Sequence, residues 1–93
     1  MIRHLSIFTL KPEGDRAAVV AALDLLRDTV PGPLQSAYGP DAGLRAGNGD
    51  IGVCVDFEDE AAYRAWDTHA EHQRLRTVIG PQVAGVVRVQ FRI

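Results

Sequence analysis

The order of periodic segments in this chain, β-α-β-β-α-β, predicts an α+β fold. It is the split βαβ or ferredoxin-like kind, a four-stranded antiparallel sheet with its helices on one face. Three observations carry the prediction. Residues 2–10 and 50–57 alternate with period two, residues 15–29 and 61–79 place apolar groups at helical spacing, and Pro and Gly punctuate the joins. With 93 residues the chain is expected to form one domain, 1–93.

The first strand sets Leu5 and Ile7 on one face and Ile2, His4, Ser6, Phe8 and Leu10 on the other. Lys11-Pro12-Glu13-Gly14 breaks it, and Asp15 is placed to cap a helix running to Thr29. Val19, Leu23, Leu26 and Val30, with Ala22, fall at helical spacing as its apolar stripe, and Pro31-Gly32-Pro33 stops it. Leu34–Tyr38 reads as a weaker strand, and 39–49 as a Gly- and Asn-containing loop. Asp50–Phe57 is a clear strand with Ile51, Val53, Val55 and Phe57 on one face. Glu58-Asp59-Glu60 supplies the acidic groups that suit a helix start. The helix from Ala61 to Ile79 is expected to be interrupted around Thr68–Ala70. Gly80-Pro81 ends it, and Val86–Ile93 is the last strand.

Composition narrows the partners. Ten basic and twelve acidic residues, interspersed to a net charge of −2, leave no basic run for nucleic acid or an anionic membrane. No stretch approaches the roughly 18 apolar residues of a membrane span, and the N-terminal apolar run is too short for a secretory signal, so a cytoplasmic location is expected. The single cysteine, Cys54, rules out an intrachain disulfide and reads as a small buried hydrophobe. A chain this short buries only about 60% of its unfolded surface, yet 46% of its residues are hydrophobic. Large apolar groups on both sheet faces therefore predict that a second copy covers one of them, a homodimer enclosing a barrel.

The three histidines are the candidate chemistry. His4 lies inside the first strand, and His69 and His72 are spaced i, i+3 in the second helical segment. Imidazole exchanges protons near neutrality. A base that removes an acidic C–H proton, with a donor that holds the enolate oxygen, suits carbon–carbon chemistry. His72 is the expected base and His4 the donor or relay. Ser6 and Phe8 share the face of His4. With Ile51, Val53, Trp66 and His69 they are the expected substrate-contacting residues. Tyr63 and Trp66, also i, i+3, read first as core packing. The three histidines also invite a metal reading. The spacing is not His-Glu-x-x-His and no cysteine or second carboxylate cluster supports it, so no metal is expected. Gly47-Asn48-Gly49-Asp50 lacks the features of a phosphate loop and reads as a turn; no cofactor is expected. Arg88 and Arg92 share one face of the last strand with Gln90; guanidinium groups lining a cavity would favour an anionic substrate, but solvent, edge or dimer contacts are the expected placement.

Arg3-His4-Leu5 in the first strand, the Asp50–Phe57 strand with its acidic helix start, and His69-x-x-His72 together resemble the stress-responsive A/B barrel domain family. The resemblance implies a homodimer with a ligand cavity between sheet and helices in each subunit. In cyclase members, histidines matching His4 and His72 serve an intramolecular aldol-type condensation. A tyrosine commonly stands where this chain has Trp66. The family's His-Pro-x-His is His69-Ala70-Glu71-His72 here, and a cavity histidine of the cyclase matches Ile51. Two functions remain open at this level. One is a cofactor-independent, polyketide-cyclase-like lyase or isomerase acting on a small hydrophobic carbonyl compound. The other is a non-catalytic, stress-associated protein that binds a ligand or is merely packed.

Overall fold

Four strands form one antiparallel sheet in the order β2-β3-β1-β4, with β1 at Ile2–Leu10, β2 at Gln35–Pro40, β3 at Ile51–Phe57 and β4 at Val83–Arg92. The computed structural model describes residues 1–93. Helix α1 (Arg16–Thr29) crosses from β1 to β2. Helices α2 (Glu60–Asp67) and α3 (Ala70–Ile79), with a short 3-10 turn at Gly80–Gln82, cross from β3 to β4. The α+β ferredoxin-like fold is therefore present, with its second helical segment broken where the sequence indicates. The last strand begins three residues earlier than its apolar run suggests, because Val83 already pairs with Leu10 across a bulge at Thr9 and Leu10.

Capping fixes each helix start. Asp15 Oδ1 accepts from the Ala18 N–H at 3.1 Å and Asp59 Oδ1 from the Ala62 N–H at 2.9 Å, each satisfying an amide that the first turn leaves without a helical partner. Gly32, at φ 122°, makes the turn between α1 and β2 that a side chain would strain.

Register decides which side chains meet. Opposite β1, His4 faces Val55 on β3 and Gln90 on β4, Ser6 faces Val53 and Arg88, and Phe8 faces Ile51 and Val86. Paired residues share a sheet face, so all of these point toward the helices. The core lies in that layer: Val19, Ala22, Leu23 and Leu26 of α1 pack with Ile51, Val53, Val55 and Phe57 of β3, Trp66 of α2 and Leu75 of α3.

The opposite sheet face carries no helix. Its rows are Val87-Ile7-Gly52, Val89-Leu5-Cys54-Ala37 and Phe91-Arg3-Asp56-Gln35. Ile7, Val87, Val89 and Phe91 are all exposed there. Arg3 clamps Asp56 through two 2.8 Å hydrogen bonds. Cys54 sits on this face half-buried rather than in the core.

Candidate functional site

A cavity of about 590 Å³ lies between the helix-facing side of the sheet and the three helices. Of the residues singled out in the sequence, His4, Ser6, Phe8, Val53, Trp66 and His72 line it. Ile51 and His69 do not. Ile51 belongs to the hydrophobic core at 1% exposure, its side chain fully enclosed by packing. His69 lies in the break between α2 and α3, where its Nδ1 caps α3 by accepting the Glu71 N–H at 3.1 Å. That capping role occupies its Nδ1, and the ring does not line the cavity. No group of three His, Cys, Asp or Glu side chains approaches closely enough to hold a metal ion.

His4 and His72 both pack against Trp66. Ring centroids are 5.6 Å apart for His4 and Trp66 and 4.2 Å for Trp66 and His72. Tyr63 stacks on His4 at 5.7 Å, and Phe57 packs against both Tyr63 and Trp66. The i, i+3 aromatic pair of α2 is thus both core and cavity wall.

The two imidazoles have opposite hydrogen-bonding polarity. His72 Nδ1 lies 2.9 Å from the Trp66 carbonyl oxygen. A carbonyl only accepts, so Nδ1 carries the proton and neutral His72 keeps a free lone pair on Nε2. The helix break makes this possible: the chain turns after Asp67, and the Trp66 carbonyl, which takes the His69 N–H at 3.3 Å in place of a regular helical bond, keeps a second lone pair for His72. At His4 the Gln90 side-chain amide donates from Nε2 to Nδ1 at 2.9 Å. The proton of neutral His4 therefore sits on Nε2, a donor. Burial is the main cause that holds both imidazoles below their ordinary value of 6.5; Arg88 adds to the effect at His4, and the Trp66 carbonyl opposes it at His72. Near neutrality both rings are uncharged.

Other donors face the same space. The Ser6 hydroxyl and the Trp66 indole N–H have no partner in the chain, although both residues are buried, and no fully enclosed side-chain N or O is left unpaired. Those atoms therefore open onto the cavity. Burial raises the Tyr63 hydroxyl above its usual value, which keeps it protonated as a donor.

Arg88 also lines the cavity, the alternative placement the sequence offered, and it remains exposed to solvent as expected. Its β4 position directly opposite Ser6 turns it to the helix side. Arg92 follows the expectation, meeting solvent and Glu60 at 3.3 Å. Arg76 and Asp67 form an ion pair at the wall. Tyr38 lines the cavity too and donates to Asp24 at 2.5 Å, and burial with that contact pushes its pKa up to about 12.

Comparison with known proteins places the fold in a wider group. A profile described as the stress responsive A/B barrel domain matches residues 2–93. A dimeric ferredoxin-like protein of unknown function from Thermobifida fusca is 34% identical, over 99% of this chain and 90% of that one, with a TM-score of 0.89. A second dimeric ferredoxin-like protein, from Jannaschia, is 26% identical over 99% and 98% of the two chains, with a TM-score of 0.81. A hydroxynitrile lyase from Passiflora edulis shares the fold at a TM-score of 0.84 and 16% identity, over 99% and 92%. A search of curated proteins found no match. No helix is long and apolar enough to cross a membrane. With nearly every residue inside the matched profile, the chain belongs to the stress-responsive A/B barrel domain family.

Proposed function

We propose that the protein is a cofactor-independent enzyme that moves protons at carbon beside the carbonyl of a small, largely apolar compound. It acts as a homodimer, as its dimeric relatives do. The observation that carries the reading is the paired polarity of His4 and His72. One cavity presents an imidazole lone pair at His72 Nε2 and an imidazole N–H at His4 Nε2. His72 takes a proton from the carbon next to the carbonyl, and His4 holds the oxygen on which enolate charge develops. The indole N–H of Trp66 and the Tyr63 hydroxyl are spare donors for the same oxygen. Closing the enolate onto a second carbonyl of the same molecule gives the aldol-type cyclisation of a polyketide cyclase, the finer form of this proposal. The apolar walls at Phe8, Val53, Leu23 and Leu26 hold the carbon chain and exclude water.

The test separates the base from the scaffold. An asparagine amide reaches where Nδ1 of histidine does, so His72→Asn keeps a donor for the Trp66 carbonyl and deletes the lone pair of Nε2. Deuterium uptake from D₂O into the carbons flanking the carbonyl of 2-octanone is followed by mass spectrometry. The wild type is expected to accelerate uptake and His72→Asn to slow it about a hundredfold or more, with little change in melting temperature. Equal rates in the two proteins, or no acceleration by the wild type, overturn the proposal.

A further inference from the structure

We infer that Arg88 and Ser6 form an anion subsite in the cavity, so that its natural ligand is an amphipathic carboxylate whose acid group docks on them. The inference rests on the cavity being a substrate site and adds the chemical class of what enters it.

Three cations line the cavity, Arg27, Arg76 and Arg88. Two of them are already neutralised. Arg27 bonds Asp28 at 2.9 Å and lies 3.7 Å from Asp24, and Arg76 pairs with Asp67. The Arg88 guanidinium, exposed at the cavity wall, is alone among the three in making none of the seven ion pairs and no side-chain hydrogen bond. Its β4 neighbour Arg92 has Glu60, so an unpartnered guanidinium is a property of position 88 and not of the strand.

Directly across the ladder stands Ser6, only 5% exposed, with a hydroxyl that has no partner in the chain. Cross-strand neighbours lie about 5 Å apart, within reach of one carboxylate that takes a guanidinium N–H on one oxygen and a hydroxyl on the other. A planar guanidinium binds carboxylate through two parallel donors, which fixes orientation as well as charge. One rung along, about 6.5–7 Å away by strand rise, is the His4–Gln90 pair. Arg88 is felt there as a charge: it is the second cause, after burial, that lowers His4. On the other side of Ser6 the ladder continues to Phe8 and Val86, an apolar seat for a hydrocarbon chain. An amphipathic carboxylate fits this order of surfaces, with its acid group on Arg88 and Ser6 and its hydrocarbon chain along the apolar wall at Phe8 and Val86.

Calorimetric titration with octanoate and with octanamide tests this, because the two differ in charge and hardly in shape. The wild type is expected to bind octanoate about tenfold or more tightly than octanamide. Arg88→Met is expected to erase the preference by weakening octanoate alone, and Ser6→Ala to reduce it. Arg92→Met should leave it intact. Equal affinity of the two ligands, no measurable binding of either, or a preference that survives Arg88→Met overturns the inference. The two proposals fail differently. Without proton transfer, deuterium uptake is absent while the octanoate preference stays. Without an anion subsite, uptake persists and the preference is missing.

Discussion

His4 and His72 are buried bases, and their burial has a measurable consequence for stability. Both are held below 6.5 in the folded chain, so between that value and their folded values the unfolded chain binds more protons than the native one. Stability then rises with pH across that window. Above 6.5 the two groups cost nothing. As the pH falls through 6.5 toward their folded values they destabilise the protein, and below those values the loss is complete. Several carboxylates, Asp56, Glu60 and Glu71 among them, are depressed by arginine partners. Their stabilisation is present above their ordinary values, near 4, and is lost only below that, outside the histidine window. The urea midpoint of the wild type is therefore expected to drop between pH 7.5 and 5.5. The double variant His4→Gln, His72→Asn should flatten that drop, and an unchanged slope would count against buried neutral imidazoles. Both positions stood out in the sequence, His4 as a histidine inside an apolar strand and His72 as half of an i, i+3 histidine pair in a helical segment. Arg88 was legible only as one of two placements. Whether it turns toward helix or solvent depends on its register against β1, and register is a pairing property that alternation alone does not supply. Ile51 failed for a related reason: sharing a face with Val53 decides the layer, but not whether packing or cavity meets the side chain.

At the scale of elements, the break between α2 and α3 builds half of the site. It turns the Trp66 carbonyl to accept from both the His69 N–H and His72 Nδ1, orienting His72, and it seats His69 as the α3 cap. The sequence marked the break through Thr68 and the polar run around it, but spacing alone could not say that His69 would turn away while His72 turned in. The same junction offers room for improvement. Ala70 is the first residue of α3, where a proline loses no helical hydrogen bond and its fixed φ is already suitable. Its predecessor His69 has φ −58° and ψ 137°, the extended backbone that a following proline requires. Ala70→Pro would restore the His-Pro-x-His pattern noted for the family. It is expected to raise stability by about 0.4–1 kcal/mol through the unfolded state, with deuterium uptake unchanged. A fall in melting temperature would show that the junction is not set as described.

At the scale of the whole molecule, the uncovered sheet face is the feature a lone protomer does not explain. Period-two alternation predicted it, since β1 and β4 carry apolar groups at both parities, and the structure shows Val87, Val89, Ile7 and Phe91 exposed together. Its edge is polar, with the Arg3–Asp56 clamp beside Phe91, an apolar centre with a charged border as in stable protein interfaces. Val87 is the discriminating position. At 71% exposure in the protomer, its replacement by aspartate should change stability by no more than about 0.5 kcal/mol if the chain works alone. If two such faces meet, the same change places an unpaired carboxylate in a dry interface, which costs several kcal/mol and splits the dimer. The wild type is expected to sediment at twice the 10.1 kDa of the chain. Val87→Asp should sediment at 10.1 kDa and melt at lower temperature, while Arg45→Asp, in the exposed loop before β3, leaves the mass unchanged. A wild type that sediments as a single chain, or a Val87→Asp variant that keeps the doubled mass, would remove the homodimer from the proposal. The cavity chemistry would stand regardless, since every group assigned to it lies on the helix side of one protomer's sheet.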